Sequence, residues 1–87
     1  MADLSAYVNV YNTALVVLSR KGWSVSHDAE RDWWYARKGD WELLADDPMQ
    51  LLGLVAIHEH HSPETKREYW WRIDEPNLLG ELDPELK

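Results

Sequence analysis

Cysteine is missing from the 87-residue chain, which removes disulfides, thiolate metal centres and cysteine nucleophiles together. Phenylalanine is absent as well, so aromatic packing falls to six Trp and four Tyr. The four glycines stand alone, and no P-loop, G-x-G-x-x-G or G-x-S-x-G can be written from them. The longest apolar run, Leu51 to Ile57 with Gly53 inside it, is far short of the ~20 residues a membrane-spanning helix needs, so it is expected in a core. Met1-Ala2-Asp3-Leu4 has neither the basic nor the apolar region of a signal peptide, and a cytoplasmic protein is expected.

Positive charge is scarce. Nine basic side chains face sixteen acidic ones, a net charge of −7. The imbalance is uneven, with residues 1–45 at −1 and residues 46–87 at −6. Nucleic acid is excluded as the expected partner, because phosphate binding draws on clustered Lys and Arg, and anionic membrane surfaces are excluded likewise. An acidic half can instead attract a basic protein, or simply serve as a solvated face. With 45% hydrophobic and 29% charged residues the chain is of globular type, and its length predicts one domain over 1–87. So small a domain buries only ~60–65% of its unfolded surface, which leaves stability to dense packing.

Leu4, Tyr7, Val8, Tyr11, Leu15 and Leu18 follow the spacing of an amphipathic helix, with Asp3 as a cap and Gly22 as a stop. The period then changes. Trp23, Val25 and His27 alternate as one face of a strand, and Asp28–Asp32 reads as a charged turn. Residues 33–38 and 41–45 are rich in β-formers around Gly39-Asp40, a dipeptide suited to a two-residue hairpin loop. Pairing Lys38 with Trp41 sets Ala36 against Leu43 and Trp34 against Ala45 on an inner face. Arg37 then meets Glu42, Tyr35 meets Leu44 and Trp33 meets Asp46 on an outer, wetter one.

Asp47-Pro48 marks a capped helix start, and helix is predicted over 48–61 as the most buried element, with Gly53 reserved for a close backbone approach. Residues 63–74 carry both periods. Ser62-Pro63-Glu64 favours a helix, whereas Tyr69, Trp71 and Ile73 alternate as in a strand. Residues 76–82 read as a short turn, and the acidic stretch after Leu82 is expected to fray. The fold class is therefore α+β: an N-terminal helix, a three-stranded antiparallel sheet, then two helical segments, the second of which could be a fourth strand.

His58, Glu59, His60 and His61 are the densest group of metal-ligand types. His58 and His61 share a helix face, and His27 could join them around a divalent metal, although the spacing is not H-E-x-x-H. The alternative for these histidines is a favourable interaction with the helix C-terminus. Ser26 and His27 are strand neighbours and point apart, so they form no nucleophile–base pair. Carboxylates are plentiful, but none is set in an obviously apolar pair, so the reading leans away from an enzyme and calls for no cofactor.

The aromatic runs are the sharper lead. Trp33, Tyr35 and Arg37 line the wetter sheet face, and Trp70, Trp71 and Arg72 repeat the composition later. Trp, Tyr and Arg dominate interface hot spots. They also stack single-stranded bases, which the charge of −7 disfavours, and a later segment could cover the face as a second core layer. The expectation is a non-enzymatic protein-binding module of inhibitor, immunity or adaptor type, acting on a protein partner or on itself. The alternative is a small metal- or ligand-binding protein using His27, His58 and His61.

Overall fold

The first helix is ten residues long and begins well after Leu4, where the apolar spacing starts. In a computed structural model describing residues 2–86, α1 runs over Tyr11–Arg20 after a 3₁₀ turn at Val8–Val10; Met1 and Lys87, the ends of the expected domain, lie outside the described residues. Asp3 therefore caps nothing. Instead Asn9 Oδ1 accepts from the Tyr7 amide at 2.9 Å, and Leu4, Tyr7 and Val8 stay in water at 70–74% exposure. The periodic pattern had no surface to pack on there, and most helical stability comes from such packing. The far end obeys expectation. Gly22 adopts φ +93°, its amide donates to the Ser19 carbonyl, and the Trp23 amide donates to the Leu18 carbonyl, a Schellman stop.

Three antiparallel strands follow in sheet order β1-β2-β3: β1 Ser24–Asp28, β2 Trp33–Lys38 and β3 Trp41–Ala45. The turn between β1 and β2 is built on Asp28, whose Oδ1 accepts from the Glu30 and Arg31 amides. The hairpin register is the one counted from Lys38 and Trp41, with Ala36 opposite Leu43, Trp34 opposite Ala45, and Tyr35 opposite Leu44. Gly39 takes φ +59° at the first loop position, where a side chain would be strained.

α2, Pro48–His61, lies on the inner sheet face beside α1. Asp47 accepts from the Gln50 amide at 2.8 Å, the expected N-cap. The core joins Leu18 of α1, Trp23, Ala36, Leu43 and Ala45 of the sheet region, and Leu51 and Val55 of α2. Two expectations for α2 are corrected. Of its apolar middle only Leu51 and Val55 are fully buried; Leu52 and Leu54 are partly covered and Ile57 is 42% exposed, because a single helix face meets the sheet. Gly53 has no close backbone neighbour, since a Cβ there would meet nothing within 4 Å.

Residues 63–74 form neither helix nor strand but an irregular segment turned at 68–71. Ser62 ends α2 in the left-handed conformation, so the cap signal closes a helix instead of opening one. Tyr69 at φ +57° then breaks both periods. The second helical segment comes later, as α3, Leu78–Leu82, capped by Asn77 and packed on a 3₁₀ turn at Pro84–Leu86. The radius of gyration is 14.8 Å, against roughly 12 Å for a compact chain of this length, because these outer segments project. No helix among the described residues is long and apolar enough to cross a membrane.

Candidate functional site

β-strand alternation sorts the candidate residues before any contact is counted. Trp33, Tyr35 and Arg37 occupy the face of β2 away from α1 and α2, alongside Ser24, Ser26, Glu42 and Leu44 of the flanking strands. Arg37 Nε donates to Glu42 Oε2 at 2.6 Å and Nη1 donates to Ser26 Oγ at 3.3 Å. These bonds hold the guanidinium 4.9 Å from the centre of the Tyr35 ring. Arg31, from the β1–β2 turn, sits 5.6 Å over Trp33. Trp33 and Tyr35 are partly buried, while Leu44, opposite Tyr35 on β3, is 43% exposed. The result is a flat aromatic surface with two cations on it, and no helix or strand covers it among the described residues. A second core layer on this face is not formed.

Trp70, Trp71 and Arg72 do not extend that surface. Trp70 turns to the inner side and packs edge-on against Trp41 at 5.2 Å, His58 at 5.7 Å and His61 at 5.9 Å. Trp71 is half-exposed, its carbonyl bonded to His61 Nε2 at 3.0 Å. Arg72 lies over the Tyr69 ring at 4.6 Å and reaches Asp74 at 3.5 Å. A doublet in an irregular loop has no strand alternation to set it, so one ring went in and the other stayed out.

The histidines separate in the same way. His27 stacks on Trp34 at 4.2 Å and bonds Asp32 at 2.8 Å, on the sheet. His58 lies within a box of Trp23, Trp41 and Trp70, with ring centroids 4.7–5.7 Å away, and its buried Nε2 has no hydrogen-bond partner. Burial holds its pKa below the usual histidine value; Lys38 pushes it in the same direction and Glu59 partly opposes. His61 flanks Trp70. Among the described residues no three His, Asp or Glu side chains come together as a metal site would need, so the set of His27, His58 and His61 is not assembled.

Sequence reasoning missed this box. Its signal was present: Leu51, Val55 and His58 follow the i, i+4, i+7 stripe of α2, which places His58 in line with two core residues. Lys38 and Lys66 stand over Trp23 and Trp41 at 5.8 and 5.6 Å, and Lys66 Nζ donates to the Asp40 carbonyl, tying the irregular segment to the hairpin loop. Beside the box, Leu43, Leu54, Ile57, Trp70 and Trp71 line an apolar cleft of about 300 Å³. Comparison with protein-family models, with curated proteins and with solved structures finds no match to this chain.

Proposed function

We propose that the chain is a non-enzymatic protein-binding module, of inhibitor, immunity or adaptor type, that works in the cytoplasm. The observation that carries this reading is the uncovered outer sheet face, where Trp33 and Tyr35 stand with Arg31 and Arg37 over their rings. Such a surface offers rigid aromatic area at little entropic cost, together with fixed donors for a partner's carboxylates and carbonyls. The net charge of −7 supports a protein partner over nucleic acid or an anionic membrane.

The test is capture from cells with the intact chain and with Trp33→Ala and Tyr35→Ala, both checked for an unchanged circular dichroism spectrum. A protein retained by the intact chain and lost by both variants carries the reading. The same proteins at the same yields from all three would remove the sheet face from consideration. Metal or small-ligand binding through histidine is the weaker reading, since His27 lies with Asp32 and Trp34 while His58 and His61 flank Trp70.

A further inference from the structure

The segment after α2 lies on the body by very few contacts. From Pro63 to Asp74 only Pro63 and Trp70 are even partly buried. Its backbone-to-backbone hydrogen bonds run from the Trp70 amide to the Arg67 carbonyl and from the Arg72 amide to the Tyr69 carbonyl, so they stay within it. Side chains hold it down. Trp70 packs on Trp41, His58 and His61, His61 Nε2 bonds the Trp71 carbonyl at 3.0 Å, and Lys66 Nζ donates to the Asp40 carbonyl. A unit with so few buried contacts opens ahead of the rest of a fold.

Its main anchor rests on a group that changes charge. His58 is walled by Trp23, Trp41 and Trp70, and its buried Nε2 has no hydrogen-bond partner. A neutral ring tolerates that position, whereas an imidazolium would bury a charged donor with no acceptor. Lys38 of β2 and Glu59 of α2 line a hollow with His58, and Glu59 is already paired with Lys21 at 3.1 Å. Lys66 stands over Trp41, and the hollow beside Trp41 and Trp70 carries Glu42, Lys66, Arg67 and Glu68, with Glu42 bonded to Arg37. His61, Glu64 and Arg67 line the hollow on Trp70. Neither of these last two hollows includes His58. Burial, then Lys38, hold the His58 pKa below its ordinary value against the opposing pull of Glu59. His61 differs, because its Nε2 donates to a carbonyl and a protonated ring donates there equally well.

We propose that residues 63–72 form a proton-operated strap, docked by Trp70 while His58 is neutral and released, with α1, the sheet and α2 still folded, when His58 takes a proton. Release removes one of the three indole walls and lets water reach the ring, so the open form binds the proton more tightly than the closed one. Acid therefore drives opening by linkage. Departure of the strap also takes Trp70 and Trp71 from the apolar cleft and uncovers Leu43, Leu54 and Ile57. The strap packs on the inner side of the sheet, so this device is separate from the outer Trp33–Tyr35 face and neither reading depends on the other.

Fluorine NMR of the full chain labelled with fluorotryptophan tests it, with the Trp70 signal assigned from Trp70→Phe. The readout is the solvent isotope shift of that signal between light and heavy water, which reports water at the indole and which a nearby charge alone does not move. From about pH 7.5 to 5.5 the open-to-closed ratio should rise by up to about tenfold per pH unit below about 6.5, until the folded value is passed. The rise should follow the titration of the His58 ring protons in the same sample, while the backbone amides of Leu18, Ala36, Leu51 and Val55 keep their dispersed shifts. His58→Gln should abolish the response and His61→Gln should leave it in place. The match of midpoints in the parent decides even if His58→Gln fails to fold. A Trp70 indole that stays dry through the His58 titration overturns the proposal, as does loss of all signals together. A strap that tightens in acid, as cation–π attraction between the imidazolium and the three indoles would make it, overturns it too.

Discussion

Trp33 and Trp34 are neighbours in sequence and should behave as opposites. Trp34 points to the inner face, packs against the core and stacks on His27 at 4.2 Å. Trp33 points to the outer face, where its cation contact is Arg31. A buried Trp removes ~150–250 Å² from water, and at ~25 cal/mol/Å² that is about 4–6 kcal/mol of gross stabilisation. Trp34 is only partly buried, so Trp34→Ala should cost ~3 kcal/mol, including the lost stack and the gap left beside the core. Trp33 is partly buried as well, but it does not pack against the core, so water can take the vacated space and Trp33→Ala should cost ~1 kcal/mol. Total stability for this length is about 4–13 kcal/mol, so the first loss is large and the second modest. Urea unfolding followed by far-ultraviolet circular dichroism reads both, because the backbone signal does not depend on which indole remains. In melting temperature the contrast is roughly 12–24 °C against 4–8 °C. Equal losses would mean that the outer face is covered. A larger loss at Trp33 would mean that the strand register is shifted by one residue.

Where the chain repeats with a period, the elements were legible. β2, β3 and α2 have their expected bounds, because a glycine at the hairpin loop and an Asp-Pro start state the ends chemically. Arg37 opposite Glu42 was deducible by counting from that loop. Legibility failed where the period was right but the partner was absent. Residues 4–8 carry a helical stripe and stay exposed, since no surface lies opposite them. It also failed at Ser62, a residue that can close one helix or open another, and only the packing of Trp70 against Trp41 and His58 decides between the two. The same limit applies to the site. Trp33, Tyr35 and Arg37 could be placed together because strand parity is local. Trp70 and the histidines could not, because their neighbours come from β3, α2 and a loop far apart in sequence.

Three further outcomes are expected. Leu51→Ala should cost ~2–5 kcal/mol while Ile57→Ala on the same helix costs ~1 kcal/mol, as chemical unfolding will show, because the first side chain is fully buried and the second is 42% exposed. Acid should weaken the fold through His58. Its folded pKa lies below the ordinary 6.5 because burial, then Lys38, disfavour the charged ring, so its stabilising share is full above about pH 6.5 and is lost as pH falls from there through the folded value. Urea midpoints for the parent and His58→Gln should then converge on acidification, and parallel curves would exclude His58 as the cause. Gly53→Ala should stabilise the protein. Glycine within a helix costs ~1 kcal/mol relative to Ala, Gly53 is not among the positive-φ glycines, and an added Cβ meets no atom within 4 Å. A rise of about 4–8 °C in melting temperature is therefore expected. A fall would mean that something in solution approaches α2 at Gly53 more closely than the monomer does.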